Sequence, residues 1–278
     1  MDWSDWAVWV AMGAIVVILI LYRRIIRKNH RLIQLAEEAA RLHREAEATE
    51  QRNRRLKQQM TSNIAHELKT PVASIRGYLE ILLSDRQVDD ERRKHFLERS
   101  YQQTLRLSDL IQDVSLINKM EESSDLFPKE EVDVCEVAQE AIDELCEKAA
   151  AAQVTISNRL TPMPLQGNRE LLYGIFRNLM ENSIAYAGQG VQVVLESYKD
   201  GPDQYYLHYY DNGQGVPDEY LTRLFDRFVR INEGRSRADG GTGLGLSIVK
   251  HAVLFHGGEI YAKNRQEGGL EYFFSLKK

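Results

Sequence analysis

Leu32, Leu35, Ala39, Leu42, Ala46, Thr49, Asn53, Leu56 and Met60 follow one another at alternating steps of three and four residues, and no Gly or Pro interrupts them. Steps of that size return to one side of an α-helix, so the stretch reads as a heptad seam. Ala, Thr and Asn at its middle positions make the seam weak, as suits two chains that pair and still shift or rotate. A single amphipathic helix laid on the protein's own body is the alternative. A parallel coiled coil fits better, because the stretch joins an apolar run on one side to further helical pattern on the other and has nothing else to cover.

That apolar run, Trp6 to Tyr22, holds 17 residues without a charge, at the short end of the roughly 17 to 25 that cross a hydrocarbon core. A buried helix of a soluble domain has a similar composition. Here Trp3, Trp6 and Trp9 at one end, and Tyr22, Arg23, Arg24, Arg27 and Lys28 at the other, are arranged as interfacial belts. A cleaved signal peptide needs a basic start, whereas this chain opens with Asp2 and Asp5. The expectation is one uncleaved transmembrane helix over residues 6–22. The net charge of −5 is unevenly spread: Arg23 to Lys57 holds 11 Lys and Arg against 5 Asp and Glu. By the positive-inside rule this basic collar, with everything after it, stays in the cytoplasm, and the N-terminus lies outside the cytoplasmic (inner) membrane. Residues 1–5 are too few for an external sensor domain, so the stimulus is expected through the span or through a membrane-embedded sensory partner.

At roughly 150 residues per domain the length predicts about two compact domains, and 43% apolar with 28% charged residues excludes wholesale disorder. Cys135 and Cys146 stand eleven apart with no second pair, which argues against a disulfide framework or a zinc site. The expected division is 23–59 for collar and coiled-coil stalk, 60–121 for a helical hairpin, 122–131 for a polar linker and 132–278 for an α/β sandwich. In the hairpin Ile64, Leu68, Ile75, Leu79 and Leu82 face one way, Phe96, Leu107, Leu110, Val114 and Ile117 mark the return helix, and Asp89 and Asp90 are candidate caps. One hairpin can hardly bury both seams, so two of them from a homodimer are expected to form a four-helix bundle.

On the first hairpin helix, His66 lies roughly 160° from both Ile64 and Leu68 at about 100° per residue, so it points away from the bundle core. Glu67 beside it can hold an imidazole N–H and sharpen the other ring nitrogen as a nucleophile. Thr70 places a hydroxyl one turn on, and Pro71 removes a helix hydrogen bond and should bend the helix. An exposed helical His is, alone, more often a solvated surface residue.

The second domain alternates helices (Val134 to Ala152, Arg169 to Ala187) with β-prone runs (Val154 to Leu160, Val191 to Ser197, Tyr205 to Tyr210, Glu259 to Lys263, Glu271 to Leu276). Four clusters on it carry chemistry. Asn178 and Asn182 share a helix face, where amide oxygens can orient Mg²⁺ against a triphosphate, although such pairs also occur as plain surface residues. Asp211-Asn212-Gly213-Gln214-Gly215 ends a strand: Asp211 can accept a hydrogen bond from an adenine amino group, and the glycines admit close approach. A simple Asn-Gly turn is the alternative. Gly241-Thr242-Gly243-Leu244-Gly245-Leu246 opens a helix whose N-terminal N–H groups can cradle phosphates. Between these lie Phe225-Asp226-Arg227-Phe228 and a Gly- and Arg-rich segment that reads as a mobile lid, with Arg230, Arg235 and Arg237 available to phosphates.

His66-Glu67-Leu68-Lys69-Thr70-Pro71 resembles the phosphoacceptor box of sensor histidine kinases. The four later clusters are similar, in order and spacing, to the nucleotide-binding boxes of that family's ATP-binding domain, whose superfamily also holds gyrase, the Hsp90 chaperones and MutL. The resemblance implies that His66 accepts the γ-phosphoryl group of ATP with Glu67 as polarising base, and that Glu67 and Thr70 position water to hydrolyse a partner's phosphoaspartate. It implies a nucleotide site of Asn178, Asn182, Tyr186, Asp211, Gly213, Gly215, Phe225, Arg230, Gly241, Thr242, Gly243, Leu244 and Gly245, with Mg²⁺ on Asn182 and also on Asn178. The superfamily's ATPases carry a water-activating Glu where this chain has Asn178, which favours transfer over hydrolysis. Ala185, before Tyr186, replaces a frequent phosphate-binding Lys. The implied partners are a second copy of the chain, a response regulator's receiver domain and the membrane, with no nucleic acid. A non-catalytic scaffold and a gyrase-type ATPase switch are the rivals.

Overall fold

The structure is a computed structural model that describes residues 3–84, 88–122, 126–231 and 241–278; a number of helix side chains, most of those before residue 40 among them, lie outside the description. It divides into two compact units, Met1–Ser62 and Asn63–Lys278.

The first unit is a stretch of one uninterrupted helix, α1 (Trp3–Ser84), which runs on into the second. Its surface carries helix-spaced ion pairs, Arg41–Glu45 and Glu50–Arg54, both at 2.8 Å, each worth a few tenths of a kcal/mol at an exposed site. On the expected seam Leu42 is 60% exposed and Ala46 and Thr49 are exposed, so within one chain nothing covers these positions. The side chains of Leu32, Leu35, Ala39, Asn53 and Leu56 lie outside the described residues, as do those of the expected span over 6–22, Gly13, Leu19 and Tyr22 apart. Among the described residues no helix is long and apolar enough to cross a membrane.

In the second unit, the end of α1 and α2 (Asp90–Glu122) form the hairpin. Asp89, not Asp90, caps α2: its Oδ1 accepts from the Arg92 N–H at 2.8 Å, leaving Asp90 as the first helical residue. Tyr78 stacks on Phe96 at 5.7 Å across the hairpin, and Leu110 and Ile117 are buried. Leu79, on the seam expected to need a second hairpin, is exposed together with Val72, Ile81, Leu97, Leu105 and Ile111, because two helices cannot enclose both apolar stripes. α1 is helical through Pro71.

The α/β domain follows as β1 (Glu130–Asp133), α3 (Val134–Ala151), β2 (Thr155–Asn158), β3 (Pro164–Gly167), α4 (Arg169–Tyr186), β4 (Gln192–Asp200), β5 (Gln204–Asp211), α5 (Asp218–Leu221), α6 (Gly245–Phe255), β6 (Ile260–Asn264) and β7 (Leu270–Lys277). The main sheet has the order β2-β4-β5-β7-β6, parallel only between β2 and β4, and β1 pairs with β3 apart from it. Asp133 and Asn168 cap α3 and α4 by accepting from the N–H groups of Cys135 and Leu171. Phe176, Leu179, Val249 and Val253 of the helices pack with Leu195, Leu207, Tyr209 and Phe274 of the sheet in one core; each such side chain contributes about 1.5–3 kcal/mol on burial. The other sheet face carries an aromatic stack in which His208 lies on Phe273 at 4.2 Å. Both cysteines are free thiols.

Candidate active site

Alternation along β5 sends Leu207, Tyr209 and Asp211 to the buried side. Asp211 is 4% exposed, and its carboxylate is fixed from two directions. Oδ1 accepts from the N–H groups of Gly213 at 2.9 Å and Leu270 at 3.2 Å, and Oδ2 accepts from the Ser183 hydroxyl at 3.1 Å. The Tyr209 hydroxyl donates in turn to Ser183 at 3.0 Å. Burial pushes Tyr209 and Tyr272 well above the ordinary tyrosine range, with the Asp211 charge adding to both, so the rings stay neutral. Ser183 was not legible as a site residue: its role depends on α4 facing β5, and no spacing signals it. A Cβ at Gly213 would lie 2.3 Å from the Ala187 carbonyl oxygen, which leaves room only for glycine where the strand end meets α4.

The second glycine cluster folds down on α4. A Cβ at Gly245 would lie 2.6 Å from Asn178 Oδ1, and one at Gly241 2.6 Å from the Tyr186 hydroxyl. Gly243 has φ +73° and its carbonyl accepts from the Phe228 N–H at 2.8 Å. Leu244 is fully buried, and its N–H donates to the Thr242 hydroxyl oxygen at 3.2 Å. Asn178 donates its amide to the Gly174 carbonyl at 2.7 Å; Asn182 lies one turn on, half-buried. Phe225 meets Tyr272 edge-on at 6.2 Å, and Gly215 has φ +68°. Of the expected nucleotide residues, Asn178 and Gly245, Tyr186 and Gly241, and Asp211 and Gly213 are brought together, whereas Gly215 and Phe225 lie against Asn264 and Tyr272 of the last two strands. Arg235 and Arg237 lie outside the described residues.

His66 is 68% exposed, as its helix phase requires. The expected hydrogen bond to Glu67 is not formed in this arrangement, because Nδ1 stands 4.0 Å from Oε1. Glu67 Oε2 instead pairs with Arg230 at 3.2 Å and Arg106 at 3.7 Å, and charge-assisted bonds from two guanidinium groups hold a carboxylate strongly. Arg230 also donates to the Gly241 carbonyl. Thr70 is exposed, and its hydroxyl donates to the His66 carbonyl at 3.3 Å. A second carboxylate that the sequence did not single out, Asp113 on α2, accepts from the Thr242 hydroxyl at 2.9 Å.

These residues fit a nucleotide: an anchored buried carboxylate, a backbone approach at Gly213 that excludes a Cβ, glycines packed against Tyr186 and Asn178, and a helix start beyond them. Among the described residues no cluster of three or more His, Cys, Asp or Glu could hold a metal. The neutral amides of Asn178 and Asn182 suit Mg²⁺ that takes most of its ligands from phosphates and water.

Residues 167–278 match the histidine kinase-, DNA gyrase B- and HSP90-like ATPase family, and residues 56–123 match the His Kinase A (phospho-acceptor) domain. The chain belongs to the two-component sensor histidine kinases. Among its relatives, the chain is 32% identical over 216 residues to the sensor-like histidine kinase SenX3 of Mycolicibacterium smegmatis, covering 77% of this chain and 56% of the relative. It is 32% identical over 232 residues to drug sensory protein A of Synechocystis sp., covering 79% of this chain and 35% of that protein. The chain thus spans about half or less of these relatives' length. Its fold is similar to that of the Acinetobacter baumannii histidine kinase AdeS, with TM-score 0.61 and 22% identity over 76% of this chain and 97% of the other. The histidine kinase ThkA in complex with the response regulator protein TrrA gives the same TM-score and identity over 79% of this chain and 61% of that one.

Proposed function

We propose that the chain is a homodimeric sensor kinase that transfers the γ-phosphoryl group of ATP to His66 and passes it to an aspartate of a response regulator's receiver domain. The observation that carries this reading is the pairing of Arg230, from the nucleotide side, with Glu67, the neighbour of an exposed His66. It brings phosphate-binding chemistry within one residue of a free imidazole. Asp211 anchors the adenine amino group, and the glycines at 241, 243 and 245 let backbone N–H groups approach the phosphates. In the transfer the bond from γ-phosphorus to the bridging oxygen breaks, the bond to an imidazole nitrogen forms, and ADP leaves with the bridging oxygen. Asn182 and Asn178 would hold Mg²⁺, which would supply charge neutralisation at the phosphates. Catalysis on the protein side is positioning and electrostatics, and Glu67 acts on the imidazole once Arg230 has turned to the phosphates. Glu67 and Thr70 also place water against a regulator's phosphoaspartate.

The same reading holds for the dimer and the membrane. Exposed Val72, Leu79, Leu97 and Ile111 on the hairpin suit a second hairpin packing into a four-helix bundle, and uncovered Leu42 suits a coiled coil. Residues 6–22 span the cytoplasmic membrane, with Arg23, Arg24, Arg27 and Lys28, all exposed, at its inner face and a membrane-embedded partner as the source of the signal. The test is transfer of labelled γ-phosphate from ATP·Mg²⁺ to the full chain beside its His66→Gln variant. Acid-labile, alkali-stable label absent from the variant supports the reading; label that persists in His66→Gln removes it.

A further inference from the structure

The first face of α2 is accounted for by the hairpin, but Asp113 points from that helix to the phosphate-binding loop. Its Oδ2 accepts from the Thr242 hydroxyl at 2.9 Å, while the same hydroxyl oxygen accepts from the Leu244 N–H at 3.2 Å. The hydroxyl has one proton, and Asp113 takes it. Nearby, the Glu67 carboxylate takes Arg230 at 3.2 Å. Two carboxylates of the hairpin thus occupy two side-chain donors, the Thr242 hydroxyl and Arg230, that the site would offer to nucleotide phosphates. We propose that Asp113 is a positioning residue that withholds the Thr242 hydroxyl from the nucleotide, so that ATP binding requires the loop to leave α2. This rests on the kinase reading and adds a control on its nucleotide site.

The contact is built to respond to protonation. Burial pushes the Asp113 carboxyl up to about 6, and the Thr242 hydrogen bond offsets that only in part. Asp109 on its own helix and Glu181 on α4 push in the same direction, and Arg177 on α4 opposes them; Arg177 itself is shared with Glu181 at 3.7 Å and Glu144 at 4.0 Å. A carboxyl whose pKa is raised in the docked state takes up a proton on docking. The docked state is therefore favoured as the pH falls through about 6 toward the ordinary value of 3.8, and the charged form above that range favours release. Acid holds the loop on α2, and neutral pH loosens it.

The test is binding of a non-hydrolysable ATP analogue with Mg²⁺ to the full chain, comparing wild type, Asp113→Asn and Asp113→Ala at about pH 7.5 and about pH 5.5. Asparagine keeps the acceptor and cannot ionise, so it imitates the protonated carboxyl. It is expected to bind the analogue up to about tenfold more weakly than wild type at the higher pH and equally at the lower. Alanine removes the acceptor and is expected to bind more tightly than asparagine at both. Because the analogue's own phosphates titrate, the quantity read is the ratio to wild type at each pH. Equal affinities for all three proteins at both values overturn the proposal and leave the kinase reading standing. A wild type that binds no nucleotide removes both.

Discussion

At the end proposed for adenine, the Asp211 carboxylate is buried and takes three hydrogen bonds from donors on its own domain. At the end proposed for transfer, Glu67 is 22% exposed and is held by Arg106 of the hairpin and by Arg230. The first carboxylate is fixed by the core it grows from; the second is fixed by whichever cation is in reach. On the proposed reading, a site that binds the same base every time is preorganised, and one that exchanges partners between phosphate, imidazole and a regulator is not. The free energies follow the same division. Removing a donor from Asp211 strands a buried acceptor, at about 1–3 kcal/mol or more, whereas Glu67 keeps one guanidinium when the other is changed.

Several substitutions can break or sharpen that contrast. His66→Gln should abolish phosphorylation, a complete loss by label transfer, with nucleotide affinity unchanged by calorimetry; retained label would mean that the exposed end is not the acceptor. Asn182→Ala should remove Mg²⁺-dependent nucleotide binding, about a hundredfold or more, read by titration with and without the metal. Phe176→Ala in the core behind the adenine end should lower stability by about 3–5 kcal/mol in chemical denaturation. Ser183→Ala should cost about 1–3 kcal/mol and weaken nucleotide binding, because the buried Tyr209 hydroxyl and one Asp211 oxygen lose their shared partner. Unchanged affinity there would show that Asp211 needs no second anchor. The smallest effect is one of pH. Burial holds His256 below the ordinary histidine value, while its Nε2 accepts from the Asn168 N–H at 3.0 Å. Its contribution to stability is full above the unfolded value of about 6.5 and is lost as pH falls below it. Urea melts of wild type and His256→Gln across that range should diverge on the alkaline side and converge on the acid side.

Local pattern carried far into this molecule because its signals are short in range. The five β-prone runs became β2, β4, β5, β6 and β7 within three residues at each end, and the expected helices over 134–152 and 169–187 became α3 and α4. Strands β1 and β3 escaped because Glu130-Glu131-Val132-Asp133 and Pro164-Leu165-Gln166-Gly167 have no alternating apolar signature; they are strands only through pairing with each other. In the hairpin, Leu79 shares the phase of the face expected inside a two-hairpin bundle and lies exposed in one chain, since periodicity names a face and does not say what will cover it.

The amino-acid order settled which residues could do chemistry: a helix phase that exposes His66, a strand phase that buries Asp211, and glycines where a backbone must come close. Those are consequences of 3.6-residue and 2-residue periods and of a missing Cβ, all of them local. Which donor meets which acceptor was settled by packing. Ser183 reaches Asp211 because α4 lies across β5, Arg230 reaches Glu67, and Thr242 reaches Asp113 over 129 residues of chain. Contacts of that range follow from the way whole elements exclude water together, and no window of sequence contains them.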